Sequence, residues 1–174
     1  MCTEGDTAVD VFLNDSWTIY FHDPQNSNWT LQSYIQVTDI SSVADFWNAH
    51  LALMTRLKNG MFFFMRMDTF PCWDDPTNIN GGCLSMKVLK ENLEHFWMLL
   101  CMRVAGETLL LPEHSDKASL INGISTSPKK YFCVVKIWLR NHDLDNKRFF
   151  NIPPQYNGDI FYKKNMDTIQ TQVQ

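Results

Sequence analysis

Long hydrophobic runs, a secretory signal and an excess of positive charge are all missing from this chain of 174 residues. No apolar stretch approaches the roughly 20 residues of a membrane-spanning helix. The first ten residues are too polar for the hydrophobic part of a signal peptide. We therefore expect a protein with no membrane span and a cytoplasmic location.

Paired cysteines and metal-ligand spacings are missing as well. The five cysteines form no C-x-x-C pair and are odd in number, which favours free thiols in a reducing compartment over disulfides or zinc. The five histidines show no ligand spacing. Phosphate-binding loops and nucleophile motifs are also not found, so the sequence indicates neither catalysis nor a metal or other cofactor.

The net charge of −4 narrows the nucleic-acid partners that the chain could bind. Sequence-independent binding to a duplex needs a basic surface along many phosphates, and an acidic chain is a poor candidate for it. The charge does not exclude a pocket for a single nucleotide.

Tryptophan is abundant, in contrast to the features that the chain lacks. Six tryptophans lie within the length of one domain.

Hydrophobic periodicity predicts an α+β fold with a mainly antiparallel sheet. Strands are expected at 16–21, 30–40, 61–67, 83–89, 120–127, 131–139 and 159–163. Helices are expected at 42–58, 92–105 and, as a short helix, at 144–150. Ser42 and Asp45 have the spacing of a capping box for the first helix. We expect a flexible N-terminal arm at 1–12, one domain at 13–165 and a polar tail at 166–174.

The helix predicted at 92–105 is apolar on nearly every side. Its core stripe has the spacing i, i+3, i+4, i+7 and consists of Leu93, Phe96, Trp97, Leu100, Cys101 and Val104. A second apolar face holds Met98, Leu99 and Met102. This second face indicates either further core packing or the docking of a partner.

The polar loop at 68–82 carries Trp73 directly before Asp74 and Asp75. An indole beside a fixed carboxylate suits a flat cationic base, because stacking, cation–π attraction and hydrogen bonding to the carboxylate act together. A second indole, Trp29, lies in another polar segment. The alternative for both indoles is that they cover the edges of the sheet.

Lysines surround the strand predicted at 131–139. Lys129 and Lys130 precede it in a turn, while Lys136 and Trp138 are two residues apart and share one face of the strand. Near a nucleotide pocket these lysines would bind phosphates as point charges. Otherwise they belong to a solvated turn.

Taken together, these segments resemble the eukaryotic translation initiation factor 4E family, the messenger-RNA cap-binding proteins. The matching segments are Trp17 with Phe21, Asn28–Trp29, Val43–Trp47, Pro71–Asp75, Gly81–Gly82, Phe96–Trp97, Gly106–Glu107 and Ile137–Trp138. They cover about residues 13–140. The resemblance implies a curved, mainly antiparallel sheet with two long helices and one short helix on its convex face, and a cap pocket on its concave face.

The resemblance also implies roles for the pocket residues. Trp29 and Trp73 would stack on the two faces of 7-methylguanine, whose positive charge strengthens stacking between electron-rich rings. Asp74, one methylene shorter than the family's glutamate, would accept hydrogen bonds from N1–H and N2–H. Trp138 would lie against the N7-methyl group.

The implied phosphate site departs from the family pattern. Lys129 stands where the family has an arginine, and Val134 stands where a second basic residue is typical. Lys130 and Lys136 would then compensate for the missing charge. Further candidates are Lys163 and Lys164.

For partners, the resemblance implies the capped 5' end of mRNA and a surface on which an amphipathic helix docks, from a 4G-type scaffold or a 4E-binding repressor. That surface would consist of Leu13, Val43, Trp47, Met98, Leu99 and Met102. The chain would act as a monomer that recruits a scaffold for translation initiation. Two alternatives are a translational repressor and a protein-interaction module with weak or lost cap binding.

Overall fold

The computed structural model describes residues 10–156 and 158–172. In these ranges seven strands form one sheet with the order β2-β1-β3-β5-β6-β4-β7. The strands are β1 Phe12–His22, β2 Tyr34–Ser42, β3 Met61–Arg66, β4 Gly82–Leu89, β5 Ile121–Pro128, β6 Phe132–Leu139 and β7 Ile160–Lys164. The helices are α1 Val43–Leu53, α2 Leu93–Ala105 and α3 Asn165–Gln172. All pairings between the strands are antiparallel, so the predicted α+β class is confirmed.

Three segments differ from the prediction. β1 begins at Phe12, inside the expected arm, of which residues 1–9 lie outside the described residues. The expected short helix at 144–150 is only a 3-10 turn at Lys147–Phe149, because the chain then extends to pair Phe150 with Leu110. The third helix is instead α3, which occupies most of the expected polar tail.

Alternating side chains give the sheet two different faces. Trp17 and Phe64 lie on one face, fully buried against the residues of α1 and α2, and stack with ring centroids 4.8 Å apart. We name it the helix face. Phe63 and Met65, on the opposite side of the same strand, form a separate cluster with Trp138. We name that side the open face.

The two long helices cover the helix face as their patterns predicted. The Ser42 hydroxyl accepts a hydrogen bond from the Asp45 backbone N–H at 3.1 Å, and the Asp45 carboxylate accepts one from Ser42 at 3.0 Å. The predicted capping box is therefore confirmed, and its hydrogen bonds lower the pKa of Asp45. All six residues of the predicted core stripe of α2 are buried, Trp97 among them.

No helix in the described ranges combines the length and hydropathy needed to cross a membrane. The thiols of Cys72, Cys83, Cys101 and Cys133 are free, and Cys2 lies outside the described residues.

His50 is fully buried in α1. Its ring stacks on Phe46 with centroids 4.1 Å apart, and its Nδ1–H donates to the Phe46 carbonyl at 2.8 Å. Its Nε2 has no hydrogen-bond partner in the described structure. Burial lowers the pKa of His50 to about 4. Because the unfolded chain takes up this proton near the ordinary value of 6.5, stability is present above that pH and is lost as the pH falls towards 4.

We predict that His50→Phe flattens the dependence of stability on pH. Between pH 7 and pH 5, proton uptake by His50 in the unfolded state should remove about 2 kcal/mol from the free energy of unfolding. The variant should avoid most of that loss in urea denaturation at the two pH values. His95→Gln, an exposed position on α2, is the matched control and should keep the wild-type slope. Equal slopes for His50→Phe and the wild type would contradict the prediction.

Candidate functional site

One cavity of about 200 Å³ lies on the open face of the sheet. It brings together five residues that the sequence predicted for one ligand: Trp29, Trp73, Asp74, Lys136 and Trp138. Its other lining residues are Tyr34, Met61, Phe63, Pro71, Cys72, Ser125, Ser127 and Ile169. The cavity is therefore built by four separate parts of the chain: the β1–β2 loop, the loop between β3 and β4, the middle of the sheet, and α3.

Trp138 forms the floor of the cavity. Its side chain on β6 is 3% exposed, and its indole N–H donates to the Ser125 hydroxyl of β5 at 2.9 Å. Phe63 meets the ring edge-on, with centroids 6.4 Å apart. The hydrogen bond and the ring contact fix the orientation of this indole within the cavity.

Trp29 projects from the β1–β2 loop and is 50% exposed. One face of its indole is covered by the imidazole ring of His22, with parallel rings and centroids 4.1 Å apart. The other face of the indole is available for stacking. The ring of Tyr34 is tilted relative to the Trp29 indole, and the centroids of these two rings are 6.3 Å apart.

The indole of Trp73 forms a cation–π contact with a lysine of the same chain. The ammonium nitrogen of Lys136 lies 5.4 Å from the centroid of its ring, within the range of a cation–π interaction. Lys136 forms no salt bridge with the described residues. The cavity therefore combines an electron-rich ring with a positive charge that has no salt-bridge partner among the described residues.

Asp74 is exposed and also forms no salt bridge in the described structure. Burial and the neighbouring Asp74 carboxylate together raise the pKa of Cys72 to about 12, so this thiol stays protonated. Burial, together with Cys72 and Asp74, also raises the pKa of Tyr34. The cavity thus offers one carboxylate without a salt bridge, beside the neutral side chains of Cys72 and Tyr34, which suits a ligand that donates hydrogen bonds.

The loop that carries Trp73 and Asp74 is held by buried asparagines. The Asn78 amide donates to the carbonyls of Phe70 and Cys72, both at 2.9 Å. Asn122 on β5 donates to the Asn78 side-chain oxygen at 2.8 Å, and Asn165 of α3 donates to its backbone carbonyl at 2.7 Å. The three asparagines are at most 1% exposed. We name them the asparagine network.

The centre and the C-terminal end of this loop are fixed by separate contacts. Near its centre, the Asp75 carboxylate accepts hydrogen bonds from the backbone N–H of Thr77 at 2.9 Å and of Phe70 at 3.2 Å. At its end, Gly81 passes so close to β6 that a Cβ would overlap the carbonyl oxygen of Leu139. The position therefore requires glycine.

Lys129 and Lys130 do not line the cavity. Both are exposed in the β5–β6 turn, where the Lys129 N–H donates to the Phe132 carbonyl at 2.8 Å. Lys130 lies over the ring of Tyr131 at 5.0 Å. Ser127, two residues before Lys129, does line the cavity, so the turn lies at its rim.

Lys163 and Lys164, the further phosphate candidates, both belong to β7, which extends one residue beyond the strand predicted at 159–163. Lys163 pairs with Cys83 of β4, which in turn pairs with Trp138 of β6. Because paired residues point to the same side of a sheet, the exposed Lys163 lies on the open face, and Lys164 points to the other side.

A second groove, of about 220 Å³, lies on the helix face. We name it the helix-side groove; it is lined by Leu13, Val43, Phe46, Trp47, Met102, Ala105 and Gly106. Val43, Trp47 and Met102 are 37–42% exposed despite their apolar side chains. Four of the six predicted partner-binding residues therefore lie together.

The other two predicted partner-binding residues do not line the helix-side groove. Met98 packs against the main core, and Leu99 is half-buried outside the groove. The reason is the position of the groove, which crosses α2 at its C-terminal end, near Ala105 and Gly106.

Several residues of the site were missed by the sequence predictions. They are His22, Tyr34, Cys72, Asn78, Asn122, Ser125, Asn165 and Ile169. One of them carried a local signal, because Asn122 lies between the apolar residues of a strand, where a polar side chain needs a buried partner. The others depend on contacts between distant parts of the chain.

The fold and cavity together define an α+β domain with an aromatic-lined pocket on the open face of an antiparallel sheet. The sequence profile of one family with this architecture, Eukaryotic initiation factor 4E, matches residues 12–172. The chain belongs to the eukaryotic initiation factor 4E family.

Curated relatives agree with this assignment. Translation initiation factor 4E-2 of Schizosaccharomyces pombe is 26% identical over 137 residues, which make up 74% of this chain and 54% of the relative. The Saccharomyces cerevisiae factor 4E is 26% identical over 140 residues, 75% of this chain and 62% of that protein. The chain thus spans little more than half the length of these relatives.

Solved structures share the fold. C. elegans eIF4E-3, in a complex with the 4E-binding protein Mextli and a cap analog, has a TM-score of 0.76 at 18% identity, covering 92% of this chain and 96% of that one. A schistosome eIF4E has a TM-score of 0.75 at 20% identity, with coverages of 93% and 92%. The curved antiparallel sheet implied by the resemblance is therefore confirmed.

We predict that Asn78→Ala loosens the loop that carries Trp73. The change removes two donated hydrogen bonds and leaves the buried Asn122 amide short of a partner, which should lower the free energy of unfolding by about 2 to 4 kcal/mol. Hydrogen exchange should accelerate most in residues 68–82. Asn80→Ala, an exposed position in the same loop, is the control and should leave both quantities near wild type. Similar effects of the two substitutions would contradict the role of the asparagine network.

Proposed function

We propose that this chain binds the 7-methylguanosine cap of messenger RNA on the open face of its sheet. One observation carries the proposal: a single cavity contains two loop indoles, a third indole as its floor and a carboxylate without a salt bridge. Family members of the same fold have been solved with cap analogs, including the C. elegans eIF4E-3 and schistosome eIF4E complexes.

In this proposal Trp29 and Trp73 stack on the two faces of the base. Methylation at N7 gives the ring a positive charge, and a cation between two indoles gains from both rings. The half-exposed Trp29 and the cation-binding ring of Trp73 support this arrangement. Trp138, fixed by its hydrogen bond to Ser125, lies against the N7-methyl group.

Asp74 recognises the base by accepting hydrogen bonds from its N1–H and N2–H edge. N1–H and N2–H are both donors, and a carboxylate can accept the two together. The carboxylate forms no salt bridge in the described structure. The cationic base also makes N1–H a stronger donor, so methylation adds to recognition at this edge.

The phosphates are bound by lysines at the rim of the cavity. Lys129 and Lys130 are exposed in the neighbouring turn, and Lys136 has an unpaired ammonium within the cavity. A cationic base displaces Lys136 from the Trp73 ring, after which its ammonium can pair with a phosphate. Lys163 is a further phosphate ligand, because it is exposed on the open face.

We also propose that the helix-side groove binds an amphipathic helix of a scaffold or repressor protein. Its exposed apolar residues, Val43, Trp47 and Met102, have the character of a helix-docking surface. Two solved relatives contain a 4E-binding protein. In this account the chain is a non-catalytic, monomeric, cytoplasmic factor that joins a capped mRNA to a translation scaffold.

Quenching of tryptophan fluorescence tests cap binding. Titration with 7-methyl-GTP should quench the emission strongly, whereas GTP should bind at least 10-fold more weakly, because the unmethylated base has no positive charge. Trp73→Ala and Asp74→Asn should each weaken binding of 7-methyl-GTP by about 10-fold or more. Asp68→Asn, which lies outside the cavity, is the control. Equal binding of the two nucleotides would contradict the proposal.

A pull-down with a scaffold-derived amphipathic helix tests the groove. Trp47→Ala should reduce capture of the helix by about 10-fold or more, because buried tryptophans dominate such interfaces. It should leave binding of 7-methyl-GTP unchanged, since the groove and the cavity lie on opposite faces of the sheet. Leu51→Ala, an exposed apolar residue of α1 outside the groove, is the control. Unchanged capture by Trp47→Ala would contradict a docking role for this surface.

A further inference from the structure

The β1–β2 loop holds its own shape mainly through local hydrogen bonds. The Gln25 N–H donates to the Asp23 carboxylate, and the Asn28 N–H donates to the Asn26 side chain, both at 2.9 Å. Such turns bend the loop but do not attach it to the sheet. The position of Trp29, near the end of this loop, therefore depends on contacts outside it.

His22, the last residue of β1, makes that attachment in two ways. Its ring lies parallel to the Trp29 indole, with an interplanar angle of 2° and centroids 4.1 Å apart. Its Nε2 lies 2.9 Å from the Asn28 carbonyl oxygen, and because a carbonyl only accepts, Nε2 is the donor. The imidazole therefore contacts both the indole and the backbone directly before it.

The surroundings of His22 lock its ring in this orientation. The side chain is fully buried, and Tyr34 meets it edge-on with centroids 4.9 Å apart. Its Nδ1 has no hydrogen-bond partner in the described structure, so a flipped ring would leave the Asn28 carbonyl without its donor.

We propose that His22 is a positioning residue that holds Trp29 for a flat cationic ligand. The imidazole supports one face of the indole and the ligand stacks on the other, so that the bound state is a continuous stack of His22, Trp29, base and Trp73. Holding the indole in advance lowers the conformational entropy lost on binding. This inference rests on the proposed function, because its ligand is the methylated base.

Three substitutions separate the two contacts of His22. His22→Phe keeps the stacked ring and removes the hydrogen bond, His22→Gln keeps a donor and removes the stacked ring, and His22→Ala removes both. Calorimetry with 7-methyl-GTP should show an affinity loss of about 3- to 10-fold for the alanine variant and a smaller loss for phenylalanine. His114→Ala, which removes an edge-on ring contact with Phe149 outside the cavity, should have no effect.

A double-mutant cycle distinguishes positioning from a general loss of stability. If His22 acts through Trp29, His22→Ala should cause no further loss of affinity when Trp29 is already alanine. Full, additive losses for the two substitutions would overturn the proposal. Wild-type affinity for His22→Ala, with normal binding by the wild type, would also overturn it and leave the proposed function intact.

Fluorine NMR of the ligand-free chain, labelled with 5-fluorotryptophan, tests the contact without any nucleotide. The Trp29 signal, assigned with Trp29→Phe, should shift and change its linewidth in His22→Ala and be largely restored in His22→Phe. An unchanged signal in His22→Ala would overturn the proposal whatever the calorimetry gives. If the wild type fails to bind 7-methyl-GTP, the proposed function fails, while this spectrum still decides whether His22 positions Trp29.

Discussion

The candidate site depends on one buried amide, the side chain of Asn78. It donates to two carbonyls of its own loop and accepts a hydrogen bond from Asn122 on β5. Asn165 on α3 donates to the backbone carbonyl of the same residue. A buried polar group without a partner is costly, so the loop cannot leave this position without losing several hydrogen bonds at once. Trp73 and Asp74 are thereby placed by residues more than 40 positions away along the chain.

The second constraint is the division of the sheet into two unlike faces. The helix face buries the large core, including Trp17 and Trp97, and the stability of the domain comes mainly from it. The open face carries a smaller aromatic cluster around Phe63 and Trp138, against which the partly buried Tyr34 and Trp73 pack. An antiparallel sheet can leave one face to solvent, and in this chain the cavity therefore forms on the open face while the core on the helix face stays closed.

Local sequence patterns were sufficient to predict most of the strands and the two long helices. Alternation predicted the strands, the Ser42–Asp45 spacing predicted the capping box, and the apolar stripe of 92–105 predicted the buried side of α2. The tryptophans and Asp74 of the cavity were also predicted, because their motifs are specific in combination. His22 and the asparagine network were not, since their roles arise only when distant segments meet. The prediction of a short helix at 144–150 was wrong because it, too, ignored a contact between distant segments. Pairing of Phe150 with Leu110 extends the chain there.

The central claim is that a methylated purine occupies the open-face cavity between Trp29 and Trp73. A crystal structure with 7-methyl-GDP tests it most directly. The account predicts the base parallel to both indoles, its N1 and N2 atoms at hydrogen-bond distance from the Asp74 carboxylate, and Lys136 moved from Trp73 towards the phosphates. A nucleotide bound elsewhere, or a base in the cavity that contacts neither indole, would contradict it.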